Sequence, residues 1–297
     1  MEQTFKDIRN LLAQRILILD GAMGTKIQQF GLSAEHFHGK RFASHPVSLA
    51  GNNDILCLTA PEVVKDIHRL YIEAGADIIA TNTFSSNRIS QQEYGCADIA
   101  AEMAREGARL ARQVADAFGG QQTTDFRALK ARLGAKASKN GQQTTDNGQW
   151  SMFNAQRSMV NGQWSTDNKR RIFVAGSMGP TAKSLSLASD MSKPAHRSVS
   201  FDEMAEAYRQ QAEALLEGGA DFLLLETCYD ALNTKAALYA ISDINRRFHR
   251  QIPVMVSVTV NDRSGRTLTG QTLWAFYTSI SHYPYLLSFG LNCSFGV

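Results

Sequence analysis

Short apolar runs alternate with longer amphipathic segments along most of the chain. The apolar runs are four to seven residues long, as in buried strands, and the segments between them have helical spacing. The predicted strands are residues 15–19, 78–81, 172–175, 221–225, 254–260 and 285–291. The predicted helices are residues 61–74, 98–118, 202–217, 233–248 and 272–281, preceded by an amphipathic helix within residues 1–15.

This alternation indicates an α/β protein with a parallel sheet covered on both faces. A doubly wound sheet and a (β/α)8 TIM barrel both fit it. No G-x-G-x-x-G follows the first strand, and polar, glycine-rich residues follow nearly every strand, which favours the barrel. A barrel needs eight strands, and the six predicted here take up the whole chain. We therefore expect an incomplete TIM barrel with about six of its eight βα units.

One segment interrupts the pattern. Residues 120–125 and 141–146 both read GQQTTD, and residues 147–151 and 161–165 both read NGQWS. Such polar repetition buries too little surface to offset its ordering entropy. We expect one barrel domain over residues 1–297, interrupted by a low-complexity polar insert at residues 119–170. Residues 119–171 hold nine Lys or Arg and three Asp, a local charge of +6, so the rest of the chain carries about −3 and the net charge of +3 reflects this segment. Such a block is typical of a solvated linker, and we predict no nucleic-acid binding.

Composition places the protein among globular chains of the cytoplasm. Hydrophobic residues make up 43% of the sequence, yet no apolar stretch approaches the length of a membrane span. Four widely spaced cysteines without a C-x-x-C pair argue against a disulfide framework and for a reducing compartment. We predict a cytoplasmic protein that does not bind membranes.

The residues that follow the predicted strands form a candidate site, because in a barrel these positions meet at one face. They are Asp20, Gly21, Thr25, Asn82, Thr83, Phe84, Gly176, Ser177, Gly179, Glu226, Thr227, Thr259, Asn292 and Cys293. Two carboxylates suit a substrate ammonium, glycine turns suit a substrate carboxylate, and a cysteine suits zinc or nucleophilic chemistry. Together they predict an amino-acid substrate that carries sulfur, although Asp20 also fits a turn-capping role.

Seven segments in order resemble the N-terminal homocysteine-binding module of cobalamin-dependent methionine synthase. They are LDGAMGT (19–25), GNNDILCLT (51–59), YIEAGADIIATNTF (71–84), GSMGPT (176–181), ADFLLLET (220–227), GRTLTGQT (265–272) and FGLNC (289–293). The resemblance covers essentially the whole chain except the insert. It implies a TIM barrel and a homocysteine S-methyltransferase activity that yields methionine.

The resemblance also implies roles for particular residues. It places the amino-group contact at Glu226, with Asp20 and the Gly21 turn beside it, and the first zinc ligand at Cys293. We predict substrate binding by Asp20, Gly21, Asn82, Thr83, Ser177 and Glu226. The implied cofactors are zinc and, in the full-length enzyme, methylcobalamin. The implied partners are homocysteine and downstream folate- and cobalamin-binding modules.

The sequence departs from the family pattern at the metal site. Two further cysteine ligands, an adjacent pair after the eighth strand in the family, are absent from this chain. The expected protein is thus a methionine synthase module truncated before its last two strands. Two alternatives stay open: a catalytically dead, zinc-deficient fragment, and a free-standing homocysteine methyltransferase that uses betaine or S-methylmethionine.

Overall fold

The computed structural model describes residues 2–120, 171–188, 190, 192–193, 195–260 and 263–294. Internal contacts divide the chain into two units, residues 1–116 with 172–297 and residues 117–171. The predicted insert at residues 119–170 lies almost wholly outside the described residues, so its character stays a prediction. Everything that follows concerns the first unit.

The described secondary structure alternates between helices and strands, as the sequence predicts. The strands are β1 (Ile78–Ala80), β2 (Phe173–Met178), β3 (Phe222–Cys228), β4 (Val254–Val258) and β5 (Leu286–Leu291). The helices are α1 (Glu2–Leu12), α2 (Met23–Gln29), α3 (Ala34–His38), α4 (Leu56–Thr59), α5 (Pro61–Ala74), α6 (Ala100–Gly120), α7 (Phe201–Glu217), α8 (Ala231–Phe248) and α9 (Leu273–Ile280).

The five strands form one parallel sheet in strict chain order. Each strand pairs with the next in the sequence, from β1 to β5. A doubly wound sheet reverses its order at a switch point, whereas a barrel wall does not. The topology is therefore that of a TIM-barrel wall, which confirms the predicted fold class.

Local sequence signals explain where the helices begin. Pro61 occupies the first turn of α5, where its missing N–H costs nothing. Ser200 caps α7 in a reciprocal capping box with Glu203, and Asp230 accepts the Leu232 N–H at the start of α8. These caps fix the points at which the chain leaves the carboxyl end of one strand and returns along a helix.

Alternate residues of the strands form an apolar inner face. Phe173, Phe222 and Leu224 pack there around Ile8 of α1, which is fully buried. This alternation of side chains continues to the carboxyl ends of the strands. Ser177 on β2 and Glu226 on β3 therefore lie on the same face. The inner face thus changes from apolar to polar at one end of the sheet, and this end holds the candidate site.

The predicted strand at residues 15–19 is wrong. Only Leu19 forms an isolated bridge, parallel to Ile78, and Ile16 is 86% exposed. Two backbone hydrogen bonds to the Ile18 carbonyl hold the segment beside β1, while its other side has no strand partner among the described residues. Without that second neighbour, an apolar run neither forms a ladder on both sides nor becomes buried. The described sheet accordingly has five strands, one fewer than predicted.

None of the helices in the described ranges combines the length and the hydrophobicity that a bilayer crossing requires.

Candidate active site

A cavity of about 520 Å³ opens at the carboxyl end of the sheet. Five of the six predicted substrate residues line it, together with the predicted metal ligand Cys293. The five are Asp20, Gly21, Asn82, Ser177 and Glu226. Residues from the segment after α1, from β2 and β3, and from the segments that follow β1 and β5 therefore meet at one place.

Glu226 is held from two sides on the inner face of β3. The Ser177 hydroxyl donates to its Oε1 at 2.5 Å, and the Asn292 side-chain amide donates to its Oε2 at 3.3 Å. Withdrawal from water raises the pKa of this carboxyl, and the Ser177 hydrogen bond partly opposes the rise. A carboxylate accepts more than two hydrogen bonds, so Glu226 retains acceptor capacity for a ligand.

Asp20 lies at the mouth of the cavity beside β1. Its Oδ2 accepts the Ala80 N–H at 2.9 Å, and its own N–H donates to the Ile78 carbonyl. Burial raises the pKa of Asp20 well above its usual range, and the nearby charge of Glu226 adds to the rise. The side chain thus ties the turn to β1 and also lines the cavity.

An aromatic ring approaches Gly21 closely. A Cβ at this position would lie 3.0 Å from the Tyr71 ring, whose hydroxyl donates to the Ala22 carbonyl. The turn between Asp20 and α2 is therefore packed against α5 and keeps its backbone at the cavity wall.

Thr83 does not line the cavity but supports its wall. The side chain is fully buried, and its hydroxyl donates to the Ser177 carbonyl at 2.8 Å. Its backbone carbonyl accepts from the Gln211 amide of α7. This placement supports a positioning role for Thr83 behind Ser177 rather than a substrate contact. Asn82, by contrast, lines the cavity and donates to the Asn53 carbonyl at 2.8 Å.

Asn292 joins the ends of three strands. Its Oδ1 accepts the Thr227 N–H at 2.9 Å and the Ser257 hydroxyl at 2.8 Å. Its amide nitrogen donates to Thr227 Oγ1 at 2.8 Å and lies 3.7 Å from the Cys293 sulfur. The candidate thiol, which is exposed, is thereby connected to Glu226 through one side chain.

A third carboxylate, Asp54, also lines the cavity and was missed by the sequence analysis. Its Oδ2 accepts the Ser85 N–H and the Ser86 hydroxyl, each at 2.7 Å. Burial raises its pKa to about 6, and the charge of Glu226 contributes to the rise. Asp54 lies in the segment GNNDILCLT, which was noted only for its resemblance, since it follows no predicted strand. Asn52 and Asn53 of the same segment line the cavity too.

The cavity is electrostatically one-sided. Its described lining contains three carboxylates and no Lys, Arg or His. The repulsion between these groups and their removal from water both disfavour the ionised forms. A cationic ligand relieves both effects, so this cavity is suited to an ammonium-bearing molecule.

The described residues do not provide a complete zinc site. Within the described ranges, no group of three His, Cys, Asp or Glu side chains is arranged to hold a metal ion. Zinc in proteins takes at least three protein ligands, and Cys293 is the sole thiol among the described lining residues. The other cysteines, Cys57, Cys96 and Cys228, are buried.

Comparison with known proteins agrees with this geometry. The family model for homocysteine S-methyltransferase matches residues 17–297. The chain belongs to this methyltransferase family. Among solved structures, the homocysteine methyltransferase MmuM from Escherichia coli is similar in its oxidized form, with 21% identity and a TM-score of 0.59. That match covers 96% of this chain and 76% of MmuM. The metallated form of MmuM matches with 19% identity and a TM-score of 0.58, over 96% of this chain and 77% of that one. At this identity the likeness shows the fold, which is the barrel fold inferred from the strand order.

Proposed function

We propose that this chain is the homocysteine-binding module of a cobalamin-dependent methionine synthase. In this reaction the homocysteine sulfur accepts a methyl group and methionine is formed. The observation that carries the proposal is the cavity that brings Asp20, Glu226 and Cys293 together. Family membership and the seven ordered segments support the choice of homocysteine and of this branch of the family.

The polar groups of the cavity suggest one orientation of the substrate. The ammonium binds between Asp20 and Glu226, whose burial strengthens a charged hydrogen bond. The substrate carboxylate faces the backbone of the Gly21 turn, since backbone N–H groups at such turns bind anions. Asn82 and Ser177 complete the wall, and the sulfur lies toward Cys293.

The contacts of Glu226 support a positioning role for the protein residues in the proposed chemistry. Ser177 and Asn292 hold Glu226 in place, so binding an ammonium there requires little rearrangement. Fixing the amino-acid end of the substrate directs the thiol to one position. Positioning of this kind lowers the entropic part of a methyl-transfer barrier.

Zinc is proposed as the metal cofactor, with Cys293 as one ligand. When bound, zinc deprotonates a substrate thiol and so supplies the sulfur nucleophile. Because the described residues supply one thiol and not three ligands, we derive no step through the metal. This observation favours a second candidate function, a homocysteine-binding chain that is deficient in zinc and does not turn over alone.

Methylcobalamin is proposed as the methyl donor, delivered by further folate- and cobalamin-binding modules of the enzyme. Neither nucleic acid nor a membrane is part of the proposal, and we place the protein in the cytoplasm. These parts rest on the resemblance of the sequence segments and on its cysteine usage.

Titration calorimetry with the full chain tests the substrate assignment. L-homocysteine should bind more tightly than γ-mercaptobutyrate, which lacks the ammonium, and more tightly than α-aminobutyrate, which lacks the sulfur. Glu226→Gln should weaken homocysteine binding about 10- to 100-fold, the usual loss for a hydrogen bond to a charged group. Glu217→Gln, which changes an exposed carboxylate of α7, is the matched control and should leave the affinity unchanged. Equal binding of all three ligands would contradict the proposed function.

A further inference from the structure

Asn292 contacts groups at both ends of the proposed substrate site. Its amide nitrogen donates to the Glu226 carboxylate, proposed to bind the ammonium, and lies 3.7 Å from the Cys293 sulfur, proposed to lie beside the substrate sulfur. The inference drawn from this geometry rests on the proposed function.

The orientation of the Asn292 amide is fixed by its surroundings. The Thr227 N–H can only donate, so the atom 2.9 Å from it must be the Asn292 oxygen. The nitrogen is then the atom that faces Glu226, which as a carboxylate can only accept. The Ser257 hydroxyl, also on the oxygen, anchors the same side chain to β4.

The backbone on both sides of this amide is unusual. Thr227 has φ 57° and Cys293 has φ 50°, a region that residues other than glycine rarely adopt, least of all a β-branched threonine. The register of β3 and β4 shifts between Leu225 and Cys228, around Thr227. Strained backbone of this kind persists where the surroundings hold it and is concentrated at functional sites. Here the Asn292 oxygen holds the Thr227 N–H, and Asn292 is the direct chain neighbour of Cys293.

We infer that Asn292 sets the separation between the ammonium-binding carboxylate and the sulfur end of the site, and so selects the length of the amino-acid side chain. Homocysteine and cysteine carry the same functional groups and differ by one methylene between them. A site with a fixed separation accepts one length, whereas a site with a loose separation accepts both. Asn292 acts through Glu226 and Cys293 and is therefore a positioning residue.

Calorimetric titration of L-homocysteine and L-cysteine into the full chain tests this inference. The wild-type protein should prefer homocysteine by about 10-fold or more, the usual discrimination for one methylene. Asn292→Asp keeps an oxygen for Thr227 and Ser257 but removes the donor to Glu226, so the preference should fall to about 3-fold or less. Ser177→Ala is the matched control, because it removes the other donor to Glu226 without touching Cys293. It should weaken binding of both ligands and leave their ratio unchanged.

Each outcome has a definite meaning. If the wild type binds neither ligand, the proposed function fails and the inference fails with it. If the wild type prefers homocysteine and Asn292→Asp retains the full preference, the inference alone is overturned. It is also overturned if Ser177→Ala changes the ratio as much as Asn292→Asp does.

Thr227→Gly gives a second test that does not depend on Asn292→Asp being folded. Glycine adopts positive φ without strain, and this relief should offset the lost hydrogen bond and the greater entropy of the unfolded chain, so the variant should melt close to the wild-type temperature. The variant removes the hydroxyl that Asn292 contacts at 2.8 Å and loosens the backbone at the register shift between β3 and β4. The preference for homocysteine should therefore still fall. A residue with a merely structural role would not lose selectivity while keeping stability. Retained selectivity in this variant would count against the inference.

Discussion

Replacement of Asp54 by asparagine should stabilise the folded protein at neutral and alkaline pH. Asp54 is 4% exposed, and its pKa is raised from 3.8 to about 6 by burial and by the charge of Glu226. The ionised carboxylate is therefore less stable in the folded protein than in the unfolded chain. An asparagine oxygen can accept the same two hydrogen bonds, from the Ser85 N–H and the Ser86 hydroxyl, without carrying the charge.

The size of this effect follows from the change in pKa. A rise from 3.8 to about 6 corresponds to about 3 kcal/mol of stability in favour of the protonated form. This contribution is fully present below the unfolded-state pKa and is lost as the pH rises through the folded-state pKa. Between pH 5 and pH 8, wild-type stability should therefore fall by about 1.4 kcal/mol relative to Asp54→Asn. A ligand ammonium in the cavity offsets the same cost, which gives a reason for a buried carboxylate at this place.

Urea unfolding at a series of pH values, without ligand, measures the difference. Ser86→Ala serves as a matched variant, because it removes a hydrogen bond that lowers the Asp54 pKa and should steepen the loss of stability with pH. If the free energies of unfolding of the wild type and of Asp54→Asn differ by a constant amount from pH 5 to pH 8, the reasoning is refuted. A lower stability of Asp54→Asn at pH 8 would also refute it, since it would mean that the charge is stabilised in the folded state.

Three further predictions concern packing and the cysteines. Gly107→Ala should lower the free energy of unfolding by about 1–3 kcal/mol in urea titrations, because its Cβ would lie 2.4 Å from Thr83 Cγ2; Gly24→Ala, with 3.4 Å to its nearest neighbour, should be neutral or stabilising. A thiol reagent should label Cys293 rapidly and the three buried cysteines slowly, and rapid labelling that survives Cys293→Ser would contradict the structure. The purified chain should hold well below one zinc per molecule by elemental analysis, and a full equivalent would mean that ligands outside the described residues complete the site.

The sequence was sufficient for the parts of the site that follow from strand periodicity. Ser177 and Glu226 continue the inward alternation of β2 and β3, so their place at the carboxyl end of the sheet could be predicted. Strands β2 and β3 run further than predicted, to Met178 and Cys228, because each ladder continues into polar positions that lack an apolar signature. The prediction at residues 15–19 failed for a different reason. An apolar run shows strand propensity but does not show whether a second strand covers it.

Other features depended on contacts between distant segments. Asp54 reaches the cavity from a 3-10 turn (Asn53–Ile55) before α4, through hydrogen bonds to residues about 30 positions away. The conformation of Thr227 is unfavourable for a β-branched residue, so local propensity predicts the opposite of what the structure shows. The hydrogen bond from the Thr227 N–H to Asn292 stabilises this conformation. This bond forms only because β5 lies beside β4 and brings the Asn292 side chain to the end of β3. Such features become visible once the register is known.

A crystal structure of this chain with L-homocysteine is the most direct test of the central claim. The account predicts the ligand in the cavity at the carboxyl end of the sheet, with its ammonium within hydrogen-bonding distance of Glu226 and Asp20. Its sulfur should lie on the Cys293 side, next to the Asn292 amide. Homocysteine bound outside this cavity, or bound with its sulfur toward Asp20, would contradict the account.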